Sequence, residues 1–269
     1  MHIPHLGGVA RSAGVVKGEI SMTTVLEKLK NGLIVSCQAS PGWPFFGVEY
    51  MQKMAIAAQE GGAAGIRACW PDNIRGVKQA VTLPVIGVNK VFSGVPTAAD
   101  VVITPTFEAA AAIIEAGCDI VALDCTVRGR SRDDLYKIID DIRKHYPGVP
   151  IMADISTVDE GLLADELGVD ILSTTLSGYT NTSLGITEDE ARNLTRYPGG
   201  AEPPPDIDLI RQLRKRSNLL INAEGRFWEP EQMQQAFLAG ADMVTIGSAI
   251  TAPQLITKRF VNAIGEIGN

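Results

Sequence analysis

Histidine is scarce in this chain: three residues in 269, at His2, His5 and His145. The first two fall in the N-terminal stretch, and His145 closes a helical pattern just before Tyr146-Pro147. None is predicted to reach a strand end. A Ser-His-Asp triad, an imidazole base and a His-rich zinc site are therefore set aside. The four cysteines, Cys37, Cys69, Cys118 and Cys125, have spacings that fit no zinc or thiol-redox pattern. They read as free buried thiols in a reduced compartment. Basic residues are outnumbered, 24 Lys and Arg against 31 Asp and Glu, for a formal net charge of −7. That speaks against nucleic acid as a partner, although a few cations in one pocket would still hold a small anion. No apolar run reaches the roughly 18 residues of a membrane span. Residues 1–18 lack the apolar block of a secretory signal. These absences predict a soluble, cytoplasmic protein with no membrane partner.

Apolar residues make up 45% of the chain and charged residues 20%, enough to build a large core. Short apolar runs alternate with longer amphipathic ones, as in repeated βα units around a parallel sheet. Strands are predicted over 33–37, 64–68, 84–88, 120–124, 150–154, 170–175, 219–223 and 243–247. Eight strands in a chain of this length suit a (β/α)8 TIM barrel of the phosphate-binding type. A doubly wound open sheet is the alternative, but no Gly-rich dinucleotide fingerprint follows any strand. The run 101–104 reads as an extra strand in the loop after the third. Helices are expected over 48–59, 106–115, 159–167 and 231–238. Thr157 and Pro230 start two of them, and Gly61-Gly62, Gly117, Gly168 and Gly240 stop them. Residues 1–22 read as an arm, and 23–269 as one barrel whose bottom is closed by a helix over 23–30. The polar loop 180–205, with Gly199-Gly200 and Pro203-Pro204-Pro205, reads as a lid, an oligomer contact or a tolerated insertion.

The functional signal lies in what ends each strand. The series runs Gln38, Arg67, Lys90, Asp124, Asp154, Thr174-Thr175, Glu224 and Gly247-Ser248. Any one of these could be an ordinary exposed strand end. Charged or amide groups at six ends of eight point instead to one pocket at the carboxyl end of a barrel. With histidine absent, acid–base work falls to Lys90 and the carboxylates. Glu224 becomes the partnering acid where burial raises its pKa. Lys90 could alternatively form a Schiff base with a carbonyl substrate, as in an aldolase. The loops "AEGR" (223–226) and "IGSAIT" (246–251) place Gly225, Arg226, Gly247 and Ser248 where barrels often hold phosphate.

Taken in order, the motifs resemble the N-acylglucosamine-6-phosphate 2-epimerase family, also called N-acetylmannosamine-6-phosphate 2-epimerase. The matching pieces are "GLIVSCQA" (32–39), "MAIAAQEGGAAGIRA" (54–68), "LPVIGVNK" (83–90), "ITPT" (103–106) and "ALDCT" (122–126). They continue with "MADIST" (152–157), "STTLSGYT" (173–180), "AEGR" and "ITKRF" (256–260). The resemblance implies an enzyme that inverts C2 of a 2-acetamido-2-deoxyhexose 6-phosphate through an enolate. It implies Lys90 as base with Glu224 beside it, and Gln38, Arg67 and Asp154 on the substrate. Asp124, and Thr175 and Gly178 of the "TTLSGYT" motif, join the substrate-binding candidates. It implies no metal and no organic cofactor, and a homodimer. Three positions depart from the family pattern. Asn89 and Val91 flank Lys90 where Ile and Arg are usual, and Ala252 stands where an arginine is expected after "AIT". Another sugar-phosphate barrel reaction, aldolase or decarboxylase, and a catalytically silent sugar-phosphate sensor remain the alternative readings.

Overall fold

The structure, a computed structural model, describes residues 22–194 and 203–265. Eight parallel strands close into a barrel in sequence order. They are β1 (Gly32–Cys37), β2 (Gly65–Cys69), β3 (Val85–Val88), β4 (Ile120–Asp124), β5 (Ile151–Asp154), β6 (Ile171–Ser173), β7 (Leu220–Glu224) and β8 (Met243–Ile246). β8 pairs back onto β1 through Gly32↔Met243 and Val35↔Ile246, which closes the ring. The TIM-barrel expectation holds, and the open-sheet alternative is excluded.

Alternation along each strand sorts the side chains into two cores. Val35, Ile66, Val85, Val121, Ala153, Leu172, Ile221 and Val244 face outward and pack with the helices. Ile34, Ile86, Ile120, Met152, Ile171 and Met243 fill the lower barrel, where Val25 and Leu29 join them from the helix Met22–Leu29. That helix plugs the bottom, as its sequence suggests. The same alternation aims Ser36, Arg67, Asp154, Ser173, Asn222 and Thr245 inward above the apolar layer, and all six are buried. A barrel interior with a greasy floor and a polar upper layer opens for chemistry at one end.

Helix starts follow the local signals. Thr106 accepts from the Ala109 amide, and Thr157 forms a capping box with Glu160. Gly117, Gly168 and Gly240 take positive φ at or just past the helix ends. Three expectations change. Run 101–104 is no strand; it makes a single antiparallel bridge, Lys90↔Ile103. Thr174 and Thr175 belong to a 3-10 turn, Thr174–Leu176, rather than to β6. The described part of loop 180–205 holds two short helices, Asn181–Leu184 and Glu188–Arg192. Gly199-Gly200, His2 and His5 lie outside the described residues, as does the N-terminal arm apart from Met22. The cysteines are free and buried. Burial pushes the Cys37 and Cys118 thiols up to about 12, so both stay protonated. No helix among the described residues is long and apolar enough to cross a membrane.

Candidate active site

A cavity of about 1040 Å³ opens at the carboxyl ends of the strands, lined by Gln38, Arg67, Lys90, Thr175 and Glu224 among others. Its floor is an ion cluster drawn from three strands. Arg67 of β2, 1% exposed, donates through Nη2 to Asp154 Oδ2 of β5 at 2.6 Å. Its Nη1 pairs with Glu224 Oε2 of β7 at 3.1 Å. Burial alone works against the Arg67 charge, but Asp154 and Glu224 together outweigh it and hold the guanidinium firmly protonated. Burial pushes the Glu224 carboxyl above its ordinary 4.5; Arg67 pulls the other way, and Asp154 adds to the rise. Thr175 Oγ1 donates to Asp154 Oδ1 at 2.6 Å and lies 3.2 Å from Glu224 Oε2, so it bridges the two carboxylates.

A polar belt supports this cluster from below. Thr245 Oγ1 donates to Asn222 Oδ1 at 2.8 Å, and Asn222 Nδ2 donates to Ser173 Oγ at 2.7 Å. Ser173 in turn meets Thr175 at 2.8 Å. Fully connected buried networks of this kind fix geometry. Two buried atoms in the cluster's surroundings have no partner: Arg67 Nε and Gln38 Oε1. Since buried polar groups are nearly always satisfied, these two are poised for a ligand.

Lys90 enters the cavity just past β3. Trp70 Nε1 donates to its carbonyl at 2.9 Å, and the bridge to Ile103 fixes the backbone from the other side. β3 and β7 stand four places apart in a ring of eight, so Lys90 and Glu224 come from opposite walls. Gly225, Arg226 and Ser248 line the end of the cavity formed by the loops after β7 and β8. Arg226 is committed to backbone carbonyls, of Ser177 and of Pro204 (3.1 Å), and lies over the Tyr179 ring.

Three expected site residues stand elsewhere. Asp124 is fully buried behind the cavity. Its carboxylate accepts from the Thr126 amide (2.9 Å), Thr126 Oγ1 (2.7 Å), Arg128 Nη2 (2.7 Å) and Arg130 Nη2 (3.2 Å), which leaves it closed to substrate. Gly178 lies beneath Arg226; its amide donates to Ser183 Oγ at 3.0 Å, and at φ +78° a Cβ would collide with the guanidinium. Gly247 sits against Ser36, behind the lining residues. Conversely, the cavity is lined by residues that strand-end reasoning missed: Ser36, Trp43, Phe92, Thr251 and Lys258. Lys258 lies within the "ITKRF" motif, which was the available signal. Arg259 beside it pairs with Glu229 at 2.6 Å and stacks on Trp228. Among the described residues no group of three or more His, Cys, Asp or Glu side chains could hold a metal ion.

Residues 51–266 match the family described as "Putative N-acetylmannosamine-6-phosphate epimerase". The chain belongs to this family. A relative from Caldanaerobacter subterraneus subsp. tengcongensis, named "Putative N-acetylmannosamine-6-phosphate 2-epimerase", is 43% identical over 90% of this chain and 94% of its own length. One of the same name from Staphylococcus carnosus is 41% identical over 87% of this chain and 97% of its own. The solved N-acetylmannosamine-6-phosphate 2-epimerase from Clostridium perfringens superposes with a TM-score of 0.76 at 37% identity, covering 88% of this chain and 95% of that one.

Proposed function

We propose that the protein inverts C2 of N-acetylmannosamine 6-phosphate to give N-acetylglucosamine 6-phosphate through an enolate. The observation that carries this reading is one cavity, in a member of this epimerase family, that joins Lys90 to the Arg67–Asp154–Glu224 cluster. The C2 hydrogen of the open-chain sugar is acidified by the neighbouring C1 aldehyde. Its removal leaves an enolate whose oxygen needs preorganised donors. Arg67, held charged and with its Nε–H unpartnered, supplies one. A planar enolate between opposite walls presents one face to Lys90 and the other to Glu224. One group takes a proton from C2 as the other returns one, and the reverse reaction exchanges their roles. Glu224 suits the acid role because burial keeps its proton above the ordinary carboxylate range.

The 6-phosphate lies against the loops after β7 and β8, with the amides near Gly225 and Ser248 as donors. Ala252 lines this end but is 1% exposed and brings no charge. Arg226 and Arg259 are already engaged. Lys258 has no hydrogen bond or ion pair among the described residues and supplies the balancing cation. The protein acts as a cytoplasmic homodimer in amino-sugar breakdown. Phe260, Val261 and Ile264, 74%, 59% and 69% exposed on the helix Pro253–Gly265, support a self-association face. The reading is tested by proton NMR of the EDTA-treated protein with N-acetylmannosamine 6-phosphate in D2O. The gluco epimer should appear with deuterium at C2. No exchange at C2 of this sugar or its unphosphorylated form would overturn it.

A further inference from the structure

Lys90 stands beyond the regular sheet. β3 ends at Val88, and its ladder to β4 stops at Gly87↔Val121. Backbone groups past that point need another partner, because buried N–H and C=O groups are almost always paired. The returning segment 102–104, which runs into the "ITPT" motif (103–106), takes the place of a strand. Val91 N donates to Val102 O at 2.9 Å and Thr104 N donates to Asn89 O at 2.8 Å, on either side of the bridge Lys90↔Ile103. The segment is fixed in turn to β4, whose Asp124 amide donates to Ile103 O at 2.9 Å. A regular antiparallel ladder would continue with the Asn89 amide donating to the carbonyl of residue 104. Here the acceptor is the Thr104 hydroxyl instead, with Asn89 N 3.0 Å from Oγ1. The N–H and the C=O of Asn89 thus both end on Thr104. This threonine is an outlier in its backbone as well. It is fully buried yet has φ +45°, a left-handed conformation that a β-branched residue rarely takes. It also precedes Pro105, whose ring narrows its choices further. Strained residues of this kind persist where the surroundings hold them, and they gather at functional sites. Thr104 is not among the cavity-lining residues, so it does not meet substrate itself.

We infer that Thr104 is a positioning residue for Lys90, acting through the Asn89 peptide groups by means of its amide and its hydroxyl. The inference rests on the epimerase reading above, in which the Lys90 amine works at C2. That amine hangs on a flexible stem, so its aim is set first by the Lys90 backbone. The peptide group leaving Lys90 is held at its carbonyl by Trp70 Nε1 at 2.9 Å. The peptide group entering it is held at the Asn89 carbonyl by Thr104 N. The hydroxyl locks the peptide before that one, and the left-handed turn is what brings hydroxyl and amide to the same neighbour. Loss of the hydroxyl leaves the Asn89 amide unpaired beside the lysine and lets the entering peptide tilt. A displacement near 1 Å at the reacting atoms costs about 10²-fold in rate, even when the change lies away from the chemistry. The groups that hold the sugar phosphate stand elsewhere in the cavity and keep their places.

The test is kcat and KM for N-acetylmannosamine 6-phosphate, followed by NMR, in the wild type and three variants. Thr104→Val keeps the shape and removes the acceptor; kcat should fall about 10²-fold with KM nearly unchanged. Thr104→Ser keeps the acceptor and should hold kcat close to the wild-type value. Thr104→Gly also lacks the acceptor, but glycine takes the left-handed conformation without strain. It should be as slow as the valine variant, and it decides the matter if that variant does not fold. A folded valine or glycine variant with wild-type kcat would overturn the inference and leave the epimerase reading standing. So would a serine variant as slow as the other two, or a rise in KM as large as the fall in kcat. A wild-type protein that turns over none of the sugar phosphate would remove the epimerase reading, and this inference with it.

Discussion

Asp124 and Asp154 are neighbours in register at the ends of β4 and β5, both fully buried and both paired with arginine. Their surroundings differ. Asp124 is enclosed by two arginines and a threonine that bond its carboxylate from every side, and Arg128 also ties down the carbonyls of Ala98 and Asp100, both at 3.0 Å. Asp154 shares Arg67 with Glu224, under a cavity, beside buried donor and acceptor atoms that have no partner. Saturation marks the first as structural: it clamps the segment that bears on Lys90. Asp154 is itself paired and buried beneath the cavity, and the positions left open lie beside it, on Arg67 and Gln38. The same residue type at the same barrel level thus does two jobs, separated by how many hydrogen bonds the protein itself completes around it.

The comparison can be broken by substitution. The largest effect is expected for Arg67→Met, which leaves two buried carboxylates without their cation. Stability should fall by about 3–5 kcal/mol in urea unfolding, and kcat of the folded fraction by about 10²–10³ or more. Asp124→Leu strands Arg128 and Arg130 and should cost a similar 3–5 kcal/mol. Its folded fraction should nevertheless keep kcat within about tenfold, because nothing that touches substrate is lost. Equal losses of kcat in the two variants would erase the distinction drawn here.

The open cluster should also show itself in pH dependence. The folded state holds the Glu224 proton to higher pH than the unfolded chain does. Its contribution to stability is therefore fully present below the ordinary value of 4.5 and is lost as pH rises through the raised one. Glu224→Gln removes that loss. Its stability relative to wild type should grow between those two values and then level off, as read by Tm across a pH series. A difference independent of pH would mean that Glu224 titrates like an exposed carboxylate. The smallest effect is expected at the phosphate end. Lys258→Met should raise KM for the 6-phosphate about tenfold, with little change for the unphosphorylated sugar. Equal changes for both would remove Lys258 from phosphate recognition.

Much of this was legible in the sequence because β structure alternates. Gln38, Arg67, Lys90, Asp154 and Glu224 share the inward parity of their strands; four of them line one cavity, and Asp154 lies buried beneath it on Arg67. Asp124 has the same parity, so pattern alone could not separate it. What closes it is Arg128 and Arg130 folding back within one turn of loop. Gly178 failed for a similar reason, since its left-handed turn serves Arg226 packing rather than an open amide. Trp43, Phe92 and Lys258 reach the site from loops and from the last helix, where no strand period announces direction. Run 101–104 has strand composition but pairs only at one bridge, because it folds back antiparallel on Lys90 outside the closed ring.

The central claim is that Lys90 and Glu224 work on opposite faces of one enolate. The direct measurement is deuterium entry at C2 of each separate epimer, by NMR in D2O, for Lys90→Ala and Glu224→Gln. Each variant should slow interconversion by about 10²–10⁴-fold. Each should still exchange one epimer, a different one in the two variants, through the proton-transfer group that remains. Loss of exchange in both epimers to the same degree in both variants would contradict the two-faced account.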